Sequence, residues 1–174
     1  DAITDLVERC AVVHIAGGAG IAAAESLRDS LPEARRERYR PFAFLHEDMD
    51  AALAAADILV GRAGSSTLAE AAAAGVPMII VPYPHAAAHQ SANASEMVDA
   101  GAALLVDDAD LDGDTLRDAC DLLFDQRRTA MSRAGASVAR PGAAAATADL
   151  LLSLAHHETL PAPEALEART RAAL

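Results

Sequence analysis

Five short apolar runs, each followed by a helical pattern, constrain the fold of this chain more than any other feature. They lie at 11–15, 41–45, 57–60, 78–81 and 103–106. Runs this short that alternate with helices predict βαβ units, in which parallel strands are buried on both faces. We therefore predict an α/β fold of the Rossmann-like type, with a parallel sheet and helices on both of its faces.

Helical patterns fill the intervals between these runs and most of the chain beyond residue 112. We predict helices at 3–9, 22–30, 49–56, 68–74, 89–100, 113–124, 126–136 and 143–156. Periodicity fades after His157, so we predict one domain over 1–157 and a C-terminal tail or short helix over 158–174. An α/β domain usually opens on a strand, whereas this chain opens within a helical pattern. We therefore expect its sheet to lack the first strand.

Composition argues against two classes of partner. The 174 residues carry a formal net charge of −12, and arginine supplies all 14 basic residues. An acidic chain without a basic stripe argues against nucleic acid and against a large electrostatic membrane patch. No apolar run approaches the roughly 20 residues of a membrane span, and no secretory signal opens the chain. We expect a cytoplasmic protein, in which Cys10 and Cys120 fit reduced thiols, although the sequence leaves a bridge open.

A glycine-containing turn at 61–70, with the sequence GRAGSSTLAE, follows the third apolar run and precedes a helical pattern. Glycine lets the backbone turn sharply and come close to a ligand. Ser65, Ser66 or Thr67 can cap the helix, and the free amides of its first turn attract an anion. Glu70 lies one turn further on, within reach of hydroxyls beside that anion. A phosphate with neighbouring hydroxyls describes a nucleotide or a nucleotide-sugar, and a purely structural connection is the alternative.

Metal chemistry finds little support in the sequence. The six histidines lack the spacing of a zinc motif. The acidic run at 107–114 does not fit the pattern of an EF-hand loop, so a solvated turn is the simpler interpretation. Arg62 suits bidentate binding of a phosphate, and it equally suits an ion pair with a surface acid. We predict neither a metal ion nor a cofactor.

Four segments carry a resemblance to a known family: 56–70 (ADILVGRAGSSTLAE), 73–77 (AAGVP), 81–85 (VPYPH) and 89–94 (HQSANA). Together they resemble the C-terminal, donor-binding half of the MurG family. Its members are the peptidoglycan N-acetylglucosaminyltransferases of the GT-B class, in glycosyltransferase family 28. Segment 45–49 (LHEDM) is similar to the family's Phe-Ile-Asp-Asp-Met segment, which borders the uracil pocket. The resemblance covers about residues 1–155 and is dense over 41–106.

The resemblance implies a nucleotide site at matching positions of this chain. The backbone near His46 would face the uracil ring. The diphosphate would lie against a helix N-terminus formed by Gly64, Ser65, Ser66 and Thr67. Glu70 would accept hydrogen bonds from the ribose hydroxyls, as a carboxylate does well.

A second group of matching positions would contact the sugar. His89 and Gln90 fill the places where relatives often carry Gln-Gln or His-Gln. Asn93 would follow on the same helix face, one turn from both. The implied donor is UDP-N-acetylglucosamine.

The resemblance also implies parts that this sequence does not show. In the family, the lipid-linked muramyl-pentapeptide acceptor and the presumed base belong to an N-terminal domain. A Gly-Gly-Ser-x-Gly loop also precedes the position that matches Asp1, and the glycines at 17–20 do not replace it because they follow the second strand position. We therefore expect no catalytic residue in this chain and no transfer by the chain alone. The full-length protein would be peripheral at the inner face of the cell membrane.

Three other functions remain open on the sequence alone. The chain could be the donor domain of another GT-B glycosyltransferase, acting on a lipid, a macrolide or a polysaccharide. It could be a non-catalytic interaction module that kept the fold and lost the ligand. An epimerase of UDP-N-acetylglucosamine shares the fold class but needs acids and bases that we cannot assign here.

Overall fold

The structure is a computed structural model that describes residues 2–84 and 87–172; the side chains of 87–89 and 125–126 lie outside that description. The strands are β1 (Val12–Ile15), β2 (Tyr39–Phe42), β3 (Leu59–Gly61), β4 (Met78–Ile80) and β5 (Ala103–Leu105). The helices are α1 (Ala2–Arg9), α2 (Gly17–Ser30), α3 (Glu33–Arg36), α4 (Met49–Ala55), α5 (Ser65–Ala73), α6 (Ala87–Asp99), α7 (Gly113–Leu122), α8 (Arg128–Val138), α9 (Ala143–Ala155) and α10 (Pro163–Arg171).

The predicted α/β class is confirmed, since every strand pairing in the structure is parallel. β1 pairs with β2, and β4 lies between β3 and β5. Each predicted strand is present, but β2 begins at Tyr39, two residues earlier than expected. Tyr39 is 1% exposed. The arginines on either side of it interrupt the apolar pattern, so the sequence did not indicate that it is buried.

Helices cover both faces of the β3–β4–β5 sheet, as predicted. On one face, Met78 and Ile80 pack against α5, α6 and α8, in a cluster that includes Leu68 and Ala94. On the other face, Ile79 packs with Leu6 of α1 and Leu123, which begins a π-helical turn between α7 and α8. The alternating faces of β4 are therefore both buried, which explains why its sequence is a continuous apolar run.

The two groups of strands are not hydrogen-bonded to each other within the described residues. Val12 of β1 nevertheless shares an apolar cluster with Ile58 beside β3 and with Ile79 of β4, so both groups belong to one layer. The facing edges, β1 and β3, carry exposed valines: Val13 is 50% and Val60 43% exposed. Both of these edge strands therefore keep an apolar side chain in contact with solvent.

The C-terminal segment 158–174 contains α10, which packs against α9. Arg169 forms an ion pair with Asp149 of α9, at 2.9 Å. The Gly142 amide, at the start of α9, donates to the carbonyl oxygen of Thr170 at 3.0 Å. The short helix therefore has specific contacts with the helix before it.

Gly75 ends α5 in a left-handed conformation, with φ of +67°. A Cβ at this position would also lie 3.2 Å from Oγ of Ser132. We expect Gly75→Ala to lower the free energy of unfolding by about 1–2 kcal/mol, because the backbone of an L-residue is strained in the left-handed conformation. Chemical denaturation measures this, and Gly20→Ala is the control, since Gly20 lies within α2 and alanine favours a helix. Equal stability of Gly75→Ala and the parent would contradict the strain argument.

Candidate functional site

Three strands end side by side and define one edge of the sheet. Gly61 of β3 is in register with Ile80 of β4, and Ile80 with Leu105 of β5. The loops that follow these three residues therefore leave the sheet at the same level. In parallel α/β folds, ligands bind beyond this carboxyl edge.

The N-terminus of α5 lies at this edge and has no side-chain cap. The sequence allowed Ser65, Ser66 or Thr67 to act as the cap, but the helix begins at Ser65 and its cap is Gly64. Gly64 is extended and leaves the three hydroxyl residues inside the first turn, where they are exposed. The first intrahelical bond runs from the Leu68 amide to the Gly64 carbonyl oxygen, 3.0 Å away.

The amides of Ser65, Ser66 and Thr67 consequently have no acceptor among the described residues. Their hydroxyls also form no hydrogen bond with a described residue. Unpaired amides at a helix N-terminus carry partial positive charge and point outward. The turn is thus a preformed donor set for an anion such as a phosphate.

Glu70 lies about one turn further along α5 than these amides. It is four residues after Ser66 and three after Thr67, so the helix brings all three together on one side. Its side chain is exposed and forms no hydrogen bond or ion pair with another described residue. The carboxylate is therefore available as an acceptor beside the anion position.

Arg62 links the three loops at this edge. Its guanidinium donates to the carbonyl oxygens of Val81 and Pro82, at 3.2 and 3.4 Å, and pairs with Asp108 after β5. The same guanidinium lies 5.5 Å from the ring centroid of Tyr83. Of the two roles that the sequence left open for Arg62, the structure has the ion pair with an acid.

Two amide side chains connect α6 to the same edge. Gln90 accepts a hydrogen bond from the Tyr83 amide at its Oε1 atom, at 2.9 Å. Asn93 donates from Nδ2 to the carbonyl oxygen of Ala63, at 3.2 Å. Asn93 thereby holds α6 against the turn just before Gly64, which is a positioning contact that its sequence pattern did not reveal.

The histidines of the predicted site are placed less completely. His46 is exposed in the loop after β2, with its ring centroid 6.0 Å from that of Phe44. The backbone of His89 belongs to α6, but its side chain lies outside the description, and so does all of His85. The structure therefore places the turn at 64–67, Gln90 and Asn93 at one edge of the sheet, with Glu70 one turn further along α5. The sugar contact predicted for His89 stays a prediction.

Sequence reasoning missed the role of Tyr83 and Asp108 at this edge. Tyr83 stood in the proline loop 81–85 and Asp108 in the acidic run, which we interpreted as a solvated turn. A usable signal existed, because both residues directly follow predicted strands and therefore lie at the same edge as Arg62. The sequence did not reveal that their side chains would converge.

A parallel α/β fold with unpaired helix amides and three loops at one edge defines a class of domain that binds ligands beyond the carboxyl ends of its strands. The sequence agrees with that class. Residues 2–149 match the family described as the glycosyltransferase family 28 C-terminal domain. The chain belongs to this family.

Curated relatives are named UDP-N-acetylglucosamine--N-acetylmuramyl-(pentapeptide) pyrophosphoryl-undecaprenol N-acetylglucosamine transferase. The protein of Corynebacterium efficiens is 52% identical over 96 residues, which are 54% of this chain and 26% of that protein. The protein of Corynebacterium glutamicum is 37% identical over 151 residues, which are 86% of this chain and 42% of that protein. The chain thus spans less than half the length of these relatives.

Solved structures give the same assignment. MurG of Acinetobacter baumannii is 29% identical with a TM-score of 0.72, over 87% of this chain and 44% of that one. The glycosyltransferase VinC in complex with dTDP is 27% identical with a TM-score of 0.52, over 64% of this chain and 26% of that one. The fold of this chain is therefore that of a GT-B C-terminal domain.

None of the helices described in the structure combines the length and the apolar character needed to cross a membrane.

Proposed function

We propose that this chain binds UDP-N-acetylglucosamine as the donor domain of a peptidoglycan N-acetylglucosaminyltransferase. One observation carries the proposal: α5 begins with three unpaired amides, and the carboxylate of Glu70, which has no partner among the described residues, lies on the side of the helix that bears Ser66 and Thr67. A diphosphate fits the amides, and a ribose beside it fits the carboxylate. The names of the relatives support the choice of this donor.

Each part of the donor has a proposed contact. The diphosphate lies against Ser65, Ser66 and Thr67, which follow Gly64. The backbone near His46 faces uracil, and Glu70 accepts from the ribose. The sugar contacts are Gln90 and His89, with Asn93 holding α6 in place.

The proposed reaction is an inverting displacement at the anomeric carbon of the sugar. As UDP departs, negative charge develops on its phosphate, and the α5 amides stabilise that charge. We propose no catalytic base, metal ion or cofactor within this chain. The acceptor is a lipid-linked muramyl-pentapeptide, and the full-length protein works on the cytoplasmic face of the membrane.

Calorimetry with UDP, UDP-N-acetylglucosamine and GDP tests the proposal on the chain as it is. We expect both uridine nucleotides to bind and GDP to bind more weakly, because the proposed uracil contact near His46 selects the base. Absence of heat at millimolar UDP would contradict the proposal and favour an interaction module that has lost its ligand.

A substitution at Ser65 isolates the backbone contribution. Gly64 has φ of −70° and ψ of 130°, which suits the residue before a proline, and proline is favoured at the first helical position. Ser65→Pro therefore removes one amide donor while keeping the helix. We expect its dissociation constant for UDP to rise roughly threefold to tenfold, the value of one hydrogen bond.

Ser65→Ala is the matched control, because it removes the hydroxyl and keeps the amide. We expect Ser65→Ala to bind UDP like the parent, and both variants to keep the parent's free energy of unfolding. Equal binding by the proline variant and the parent would remove the Ser65 amide from the phosphate site.

A different GT-B transferase is the second candidate, because the structure is also similar to VinC in complex with dTDP. Competition between UDP and dTDP distinguishes the two functions. Preference for dTDP would move the proposal to a transferase that uses thymidine-linked sugars.

A further inference from the structure

Arg62 occupies a position from which one side chain holds three loops. Its partners lie 19, 20 and 46 residues away along the chain, at Val81, Pro82 and Asp108. All three contacts are made by the Nη1 atom of the planar guanidinium, which also lies over an aromatic ring. Its contact with Tyr83 at 5.5 Å is of this cation–π kind.

Tyr83 passes this restraint to Gln90. The Tyr83 amide donates to Oε1 of Gln90 at 2.9 Å, so the carbonyl end of that side chain is turned toward the loop. The Nε2 group, which has no acceptor among the described residues, then points away from the loop. A side-chain amide held in this way presents two N–H donors to a ligand and no acceptor.

We propose that Arg62 is a positioning residue for the sugar end of the donor. Asp108 and the carbonyl oxygens of Val81 and Pro82 orient Arg62, Arg62 orients Tyr83, and Tyr83 fixes Gln90 as a hydrogen-bond donor. The site therefore selects a sugar that offers an acceptor to Gln90, such as a hydroxyl or an acetamido carbonyl oxygen. This inference depends on the proposed function, because it assigns a cause to the recognition of the sugar.

Arg62 acts on the sugar and leaves the nucleotide untouched. Its Nη1 atom is held by two carbonyl oxygens and by Asp108, whose carboxylate offsets its positive charge. Loss of Arg62 should therefore reduce the gain in affinity that the sugar adds to UDP, without changing the affinity for UDP itself. If Arg62 instead bound a phosphate, its loss would weaken the binding of both UDP and UDP-N-acetylglucosamine.

The experiment measures the dissociation constants of UDP and UDP-N-acetylglucosamine for the parent, Arg62→Ala, Arg62→Lys and Asp108→Asn. For Arg62→Ala we expect UDP to bind within twofold of the parent and the gain from the sugar to fall roughly fivefold to tenfold, the value of one hydrogen bond. Arg62→Lys keeps the charge without the planar donor set. Its gain in affinity from the sugar should lie between the gains of the parent and of Arg62→Ala. Asp108→Asn should also reduce the gain in affinity from the sugar, as Arg62→Ala does.

Arg128→Ala is the matched control, since Arg128 pairs with Asp57 on the surface and takes no part in the edge. It should leave both dissociation constants unchanged. Nuclear magnetic resonance gives a second readout in the absence of ligand. The Tyr83 amide and the Gln90 side-chain amide signals should shift in Arg62→Ala and in Asp108→Asn, but not in Arg128→Ala.

The outcomes separate this inference from the proposed function. If the parent binds no UDP, the proposed function fails and the inference fails with it. If the parent binds UDP but Arg62→Ala keeps the full gain from the sugar, or loses UDP and the sugar nucleotide equally, only the inference is overturned. If Arg62→Ala does not fold, Asp108→Asn decides by the same two criteria.

Discussion

Replacing Glu70 with alanine is expected to weaken UDP binding by about 1–3 kcal/mol, or roughly fivefold to 150-fold in the dissociation constant. The carboxylate is exposed and has no partner among the described residues, so its removal costs the folded protein little. The loss appears when a ribose would occupy it, since hydrogen bonds to a charged acceptor are stronger than neutral ones. Calorimetry with UDP measures the change directly.

Glu96→Ala provides the control for Glu70→Ala. Glu96 is an exposed glutamate of α6, a helix that also borders the site, and its removal changes the net charge by the same amount. We expect it to bind UDP like the parent. If Glu70→Ala and Glu96→Ala bind equally well, Glu70 does not belong to the nucleotide site, and the proposed function loses its central contact.

Replacing Ile79 with alanine is expected to lower the free energy of unfolding by about 2–5 kcal/mol. Ile79 is fully buried at the centre of β4, where it packs with Leu6, Leu123 and Met131. Removing its side chain forfeits the transfer of apolar surface from water and leaves a cavity among residues from four elements. Urea denaturation, followed by circular dichroism, measures the loss.

The matched control is Leu151→Ala on α9, because Leu151 is 60% exposed. It should change the free energy of unfolding by less than about 0.5 kcal/mol, as is usual for surface positions. Similar losses at the two positions would show that β4 is not the centre of the core. A folded Ile79→Ala should still bind UDP, since Ile79 lies below the edge and does not touch it.

Local pattern predicted the elements of this fold well, because each strand between covered faces is a short apolar run. It failed where a residue's environment depends on distant partners. Tyr39 is surrounded by arginines in sequence, yet it is buried against Val7 and Leu31 and its hydroxyl contacts His14 at 2.7 Å. The predicted start of α5 was three residues too late, because the three hydroxyl residues that we interpreted as candidate caps lie within its first turn.

The same distinction between local and distant contacts applies to the candidate site. The glycine turn and Glu70 lie within ten residues of one another, so their relation follows from helix geometry alone and was visible in the sequence. The Arg62 network joins loops up to 46 residues apart, and no periodicity reports which side chains will converge. The sequence pattern indicates which residues follow strand ends, but the pairing of their side chains depends on how the loops fold against one another.

The position of α1 has a consequence for how the protein unfolds. Helix α1 bridges the two groups of strands, since Val7 packs with β2 while Leu6 packs with Ile79. Side-chain contacts of α1 therefore couple the β1–β2 pair to the β3–β5 ladder, which carries Arg62 and α5. It follows that a substitution at Leu6 or Val7 should loosen the packing of both groups of strands together.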